Sequence, residues 1–319
     1  MNAAVTHAPI AIFIYKRPGH LRRMLETLVA CEGFDQSQVF VFGDGPKAPE
    51  QAPAVDEARA VARAMLGDRA EYRFQDSNRG LANSVIAGVS ELTERFGRVI
   101  VIEDDLVLAP QFLSFINGAL DYYQDDEQVM QVSGFMFDVP ELREHSEAVV
   151  LPFISSWGWG TWYRSWQKFD AAASSWPAIR ANAAERRRFD LDGCYDYAEM
   201  MERQLLGMID AWDICWYLSV FSHKGLVIYP PSSLVANTGM DGSGSHGGGI
   251  LRKPLPKELS NIHLVRSFLP ASLDPRAFAM VKKFLWRQGG GLSGKLLGLV
   301  KNRIMRLSAL GARAFDVQR

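Results

Sequence analysis

The chain has 319 residues, enough for one large domain or one domain with an appendage. It is 48% hydrophobic and 22% charged with a formal net charge of -1, a balance ordinary for a globular chain that provides no global field for nucleic acid. Cys31, Cys194 and Cys215 are odd in number and widely spaced, which fits a reducing compartment and excludes a zinc motif or a disulfide framework.

The N-terminus has no basic segment, and the apolar stretch 10–15 is too short for a signal sequence. No run approaches the ~20 apolar residues of a spanning helix. A cytoplasmic protein is expected, at most peripheral on the inner face of the cytoplasmic membrane.

Residues 9–15 read as a strand and 18–31 as an amphipathic helix with proline at its start. Residues 39–42 are a second strand, ending in Gly43-Asp44-Gly45. A helix follows near 55–66, a short strand at 71–74, and a helix at 80–96. The run Val99-Ile100-Val101-Ile102 is a strand apolar on both faces. Helix 111–123 and strand 129–133 complete a βαβα rhythm, which predicts an α/β fold with a mostly parallel, Rossmann-like sheet and helices on both faces. In such sheets ligands bind at the carboxyl ends of the strands.

After residue 140 the rhythm changes. Residues 149–153 suggest an added strand, then comes the aromatic stretch Trp157-Gly158-Trp159-Gly160-Thr161-Trp162-Tyr163. A helical section over 177–222 breaks near Asp210-Ala211, and 226–229 reads as the last strand. Residues 239–249 form a Gly/Ser-rich loop that contains His246.

Glu103-Asp104-Asp105 directly follow the apolar fourth strand. Three carboxylates at the end of a buried strand are costly unless a positive partner sits there, and a divalent cation holding a diphosphate is the natural one. A solvated acidic turn is the plainer alternative. Arg17 follows the first strand and Asp44 the second, on the same rim of a parallel sheet. An arginine there suits phosphate, and an aspartate suits a base or ribose. The alternatives are a helix-entry residue and a turn residue before glycine. Ser77-Asn78-Arg79-Gly80 lies on that rim too, to contact a nucleotide or to cap the following helix.

In order, Tyr15-Lys16-Arg17-Pro18, Gly43-Asp44-Gly45, Asn78-Arg79-Gly80-Leu81, Glu103-Asp104-Asp105 and Trp157-Gly158-Trp159-Gly160-Thr161-Trp162 resemble nucleotide-sugar-dependent glycosyltransferases. The resemblance is to bacterial family 2-like enzymes related to N-acetylglucosaminyltransferase I, over roughly residues 8–250. It implies a GT-A catalytic domain at 1–250, with 251–319 as a basic helical C-terminal extension. It implies that Arg17, Asp44, Asn78, Arg79, Glu103, Asp104 and Ser245 contact the donor, and that Asp105 holds Mn2+ or Mg2+.

The expected activity is inverting transfer of a hexosyl or N-acetylhexosaminyl group from a nucleotide sugar, a UDP-sugar first among them. The acceptor is a saccharide or lipid-linked saccharide in polysaccharide biosynthesis. A sugar-1-phosphate nucleotidyltransferase shares fold and metal need, but Tyr15-Lys16-Arg17-Pro18-Gly19-His20 is a poor match to its glycine-rich phosphate loop. A non-catalytic glycan-binding module is the third reading.

An inverting transfer needs a base for the acceptor hydroxyl. Asp213, in Ala211-Trp212-Asp213-Ile214-Cys215-Trp216, is the candidate, with a helix N-cap as its alternative role and Asp210 as fallback. His246 is a second metal ligand or a linker residue. Trp157, Trp159 and Trp212 are candidate sugar platforms in the acceptor site, one of them there and the others in the core. Residues 292–315 carry Lys295, Lys301, Arg303, Arg306 and Arg313 with apolar residues at helical spacing. That basic amphipathic helix suits an anionic membrane surface or packing on the domain, with Gly289-Gly290-Gly291 as a hinge.

Overall fold

A computed structural model describes residues 7–239, 259 and 267–288. In chain order its strands are β1 (Ile10–Ile14), β2 (Val39–Gly43), β3 (Ala70–Phe74), β4 (Arg98–Glu103), β5 (Leu106–Leu108), β6 (Val129–Ser133), β7 (Val149–Leu151), β8 (Trp159–Trp162), β9 (Leu226–Tyr229) and β10 (Val235–Asn237). The helices are α1 (Pro18–Val29), α2 (Ala52–Leu66), α3 (Leu81–Phe96), α4 (Phe112–Tyr122), α5 (Tyr163–Trp166), α6 (Trp176–Ala181), α7 (Ala183–Phe189), α8 (Tyr197–Leu205), α9 (Trp212–Ser222) and α10 (Pro275–Gln288).

Eight strands form one sheet in the order β3-β2-β1-β4-β8-β6-β9-β7, and β10 pairs with β5 in a separate ribbon. β3, β2, β1 and β4 pair in parallel, as do β6 and β9. β8 runs antiparallel to both β4 and β6, and β7 antiparallel to β9. The expected mostly parallel sheet flanked by helices is therefore present.

The apolar run of β4 explains its central place. Val99 and Val101 enter the core shared with α3, α9 and α10, whereas Ile100 and Ile102 enter the core shared with α1, α2 and α4. Successive residues of a strand point to opposite faces, so only a strand covered on both sides can use such a run. Each buried Val or Ile contributes about 1.5–3 kcal/mol. Helix α1 covers its side with Leu21, Met24, Leu25 and Leu28, all at 0% exposure and at helical spacing.

Register sets the rim. Phe13 lies opposite Glu103, Ile14 opposite Gly43, and Gly43 opposite Phe74. Four parallel strands therefore end at one level, and Arg17, Asp44, residues 75–80 and Asp104-Asp105 all leave the sheet there. Because β8 is antiparallel and pairs Val101 with Trp159, the segment entering it, 155–158, starts from that same rim.

Three elements depart from the sequence reading. The aromatic stretch, to which the sequence reading assigned no element, contains a central strand, β8. Leu226–Tyr229 is not the last strand, since β10 follows it. The helical section over 177–222 is four helices, and the break falls between α8 and α9 as expected. None of the three cysteines forms a disulfide.

Residues 275–288 form a helix whose Ala277, Val281 and Leu285 join the main core. Asp274 caps it by accepting from the backbone N–H groups of Arg276 and Ala277, with Pro275 at the first helical position. No helix among the described residues is long and apolar enough to cross a membrane. Ser245, His246, Gly289-Gly290-Gly291 and residues 292–315 lie outside the described residues.

Candidate functional site

The acidic end of β4 is organised by Arg17. Its Nη2 donates to Asp104 Oδ1 at 2.8 Å and to Asp105 Oδ2 at 2.9 Å. Asp104 also accepts from the Tyr15 backbone N–H at 3.1 Å. Two carboxylates held at ~5 Å repel by roughly 3 kcal/mol at an effective dielectric near 20, so the shared guanidinium offsets a real cost. Burial alone would lower the Arg17 pKa, but Asp104 and Asp105 outweigh it and hold the guanidinium above its ordinary value. Burial pushes the Asp104 carboxyl up, with Arg17 opposing. Glu103 is pushed well above the usual carboxylate range by burial first and then by Asp105, Asp104 and Asp213.

The ribbon β5–β10 closes over Asp105. Thr238 donates its N–H at 2.8 Å and its hydroxyl at 2.9 Å to the Asp105 carbonyl. Asn237 Nδ2 donates to Asp105 Oδ1 at 3.3 Å, and His20 Nε2 lies 3.3 Å from the Thr238 carbonyl. Gly239 fits only as glycine: a methyl there would fall on Asp105 Oδ2 and come within 2.6 Å of Arg17 Nη1. Sequence reading gave no site role to His20, Asn237 or Thr238. The three-residue pairing that places them has no periodic signal.

Asp44 is held by the chain's own donors. Its Oδ1 accepts from the N–H groups of Gly45 (2.9 Å) and Arg79 (2.8 Å), and its Oδ2 from Asn78 Nδ2 and the Gly80 N–H, both at 2.9 Å. A carboxylate has about four acceptor sites, and the chain's own donors fill them. Asp44 therefore staples the loop after β2 to the loop after β3. Asn78 serves the same staple, also donating to the Gly45 carbonyl at 2.9 Å. Neither it nor Ser77 caps α3, whose N-cap is Gly80 without a side-chain bond. The Arg79 side chain is exposed on the rim.

Asp213 lies across from the triplet, in the first turn of α9. Ala211 is the N-cap, so Asp213 does not hold that position. Every other residue from 211 to 220 is buried, and Asp213 alone is partly exposed. Its Oδ2 accepts from the Ser156 hydroxyl at 3.3 Å and its Oδ1 from the Ile214 N–H at 3.0 Å. Asp210 is exposed, with its Oδ2 beside Gly80.

The tryptophans divide. Trp159, with 0% exposure, stacks on Trp212 at 5.4 Å, and Trp212 is 4% exposed. Neither is an acceptor platform, because Trp159 sits on the central strand β8 and Trp212 packs over it from α9. Trp157 is partly exposed on the rim, edge-on to Phe135 at 4.7 Å, with Phe137 next at 5.2 Å.

A second aromatic wall was missed. Tyr195 packs on Tyr197 at 4.4 Å, and Tyr197 on Tyr217 at 4.3 Å. Tyr217 is one helical turn beyond Asp213 on α9, and the Asp213 charge raises the pKa of Tyr195, second to burial. The turn before Tyr195 holds Leu191 (φ 50°) and Asp192 (φ 59°) in the left-handed region, a conformation that no sequence pattern announces in non-glycine residues.

Among the described residues no group of three or more His, Cys, Asp or Glu is arranged to hold a metal ion. The donor set still fits a hard cation, since one or two carboxylates suffice where a diphosphate supplies further oxygens. Burial makes Cys31 and Cys215 poor nucleophiles, pushing the Cys31 thiol up to about 12 and Cys215 to about 11.

No family model matches the chain. Among solved structures it is similar to a mannosyltransferase of Pyrobaculum calidifontis in complex with GDP-Man and Mn2+, at 16% identity over 50% of this chain and 47% of that one, TM-score 0.34. A cytidylyltransferase from Leptospira borgpetersenii is similar at 13% identity, over 52% and 64%, TM-score 0.34. The galactosyltransferase LgtC in complex with donor and acceptor sugar analogs is similar at 12% identity, over 70% and 73%, TM-score 0.38. The matched part spans about half the length of the first and under two thirds of the second.

Proposed function

We propose that the chain is an inverting glycosyltransferase of GT-A type, moving a sugar from a nucleotide-sugar donor, a UDP-sugar first, to a saccharide hydroxyl. One observation carries this: Glu103, Asp104 and Asp105 at the carboxyl end of β4 converge with Arg17 and, across the rim, with Asp213. A set of acids with one arginine suits a phosphate-bearing donor on one side and a proton acceptor on the other.

Arg17, freed from Asp105, is placed to pair with the diphosphate. Asp104 and Glu103 face the ribose and donor sugar. Asp105 is the ligand for Mn2+ or Mg2+, and such an ion, when bound, neutralises charge growing on the departing diphosphate. Asp44 and Asn78 fix the loop that presents the exposed Arg79.

Asp213 takes the proton from the acceptor hydroxyl onto a carboxylate oxygen as that hydroxyl oxygen bonds the anomeric carbon and the bond to the diphosphate breaks. Ser156 orients the carboxylate. Trp157 and Tyr195 bound the acceptor on two sides, by the stacking that aromatic faces offer sugar rings.

UDP is expected to raise the unfolding temperature only with Mn2+ present, by an amount equivalent to about 2.7 kcal/mol at a hundredfold excess over Kd, and Asp105→Ala should abolish the effect. UDP binding indifferent to both Mn2+ and Asp105→Ala would sink the metal-site reading.

The two tryptophans should also behave oppositely. Trp159→Ala should lower stability by about 3–5 kcal/mol through the cavity it leaves. Trp157→Ala should leave the denaturant midpoint nearly unchanged and raise the acceptor KM. Equal stability losses for the two would contradict the division.

A further inference from the structure

From residue 275 to 315 the chain carries nine Lys or Arg and no Asp or Glu, although the whole chain has a net charge of -1. The first part of this stretch is α10. Its inner face is committed to the core through Ala277, Val281 and Leu285. Its outer face, at positions 276, 279, 283, 286 and 287, is exposed throughout. That face presents Arg276, Lys283 and Arg287 around Trp286, which is 42% exposed. Among the described residues these three cations make no ion pair, whereas Lys282, to the side, is bonded to Asp192.

The helix also stands beside the acceptor half of the site. Phe284 packs on Phe137 at 6.1 Å, and Phe137 leads through Phe135 to Trp157. Lys282 Nζ donates to Asp192 Oδ2 at 2.5 Å, in the strained turn that delivers Tyr195. α10 thus touches both segments that carry the aromatic walls.

We infer that the outer face of α10 is a docking surface for an anionic lipid bilayer, which brings the Trp157–Tyr195 side of the cleft to a lipid-linked saccharide. Charge complementarity commits the surface to an anionic partner. A tryptophan among cations on a helix face is the composition that settles at a headgroup boundary, where the indole sits at the interface and the cations meet acidic lipids. The acid-free sequence continuing to residue 315 extends the same charge. The lipid-linked acceptor rests on the transferase reading; the docking surface does not.

The test is co-sedimentation of the full chain with phosphatidylcholine vesicles, with and without phosphatidylglycerol. Binding is expected only with the anionic lipid, falling as salt shortens the range of the attraction. R276E/K283E/R287E should weaken it on the order of 100-fold, from the contribution of each cation near the surface. Trp286→Ser should weaken it without changing charge, and R22E/R23E, on the exposed face of α1, should bind as the wild type.

Equal binding to neutral and anionic vesicles overturns the proposal, as does a triple variant that binds like the wild type or an α1 variant that loses as much. A chain retained by single-stranded RNA but not by vesicles overturns it as well. Donor-dependent thermal stabilisation of the triple variant verifies its fold. Vesicle binding is read without transfer, so loss of the docking surface and loss of the transferase reading give different results.

Discussion

Asp213→Asn is expected to lower kcat by about 10²–10⁴-fold while donor affinity stays within a factor of two or so of the wild type, the range that general-base removal produces. Asparagine keeps the size of the side chain and can still accept from the Ser156 hydroxyl, so the geometry at the start of α9 survives. What it loses is the capacity to take a proton. If Asp213 served only to begin the helix, asparagine would do so nearly as well, and the rate would hold. Single-turnover transfer with saturating donor separates these outcomes, with calorimetry of donor binding alongside. Unchanged turnover removes Asp213 as the base. Asp210→Asn is the companion variant: its carboxylate lies at Gly80, on the donor side, so a rate loss confined to it would move the base there.

Asp44→Ala is expected to destabilise the fold by about 3–5 kcal/mol, because a carboxylate with four donors is removed and the N–H groups of Gly45, Arg79 and Gly80 lose their partner. Hydrogen bonds to a charged group are worth ~1.5–3 kcal/mol each, but losses around one carboxylate are not additive. Urea unfolding reads this directly. Donor affinity should fall too, as a consequence of a loosened rim. A variant with the wild-type urea midpoint and only weakened donor binding would mean that Asp44 touches the nucleotide after all.

The two halves of the chain differ in how openly they declare themselves. β1, β2 and β4 are short continuous apolar runs, and α1, α3 and α4 carry apolar residues at helical spacing. Those signals arise from burial on both faces, so the parallel half-sheet, its rim and the acidic triplet were all readable. The aromatic strand β8 was not. Trp-Gly-Thr-Trp lacks a β-branched run, and Gly160 is there because a methyl group would come within 2.9 Å of Ile116 Cγ2 on the helix packed above it. Its glycine reflects a tertiary approach, not a turn. β5 and β10 have three residues each, too few for any period. Asp44 before glycine showed its turn chemistry, but not that Asn78 and the Arg79 and Gly80 N–H groups would meet the same carboxylate from across the rim. Tyr195 was invisible for a similar reason. Its position depends on left-handed Leu191 and Asp192, held by a helix some ninety residues further on through Lys282.

The place of β8 has a consequence for how the chain comes together. It lies between β4 and β6, yet it is made after both. Until Trp159–Trp162 has left the ribosome, the four parallel strands end in an unpaired β4 edge, and β6 has nothing to join it to them. An exposed apolar edge is the surface on which unfinished chains associate with one another. The strand that completes the sheet also carries, just before it, Ser156 and Trp157. Closure of the open edge and delivery of the acceptor side of the cleft are therefore one event in assembly.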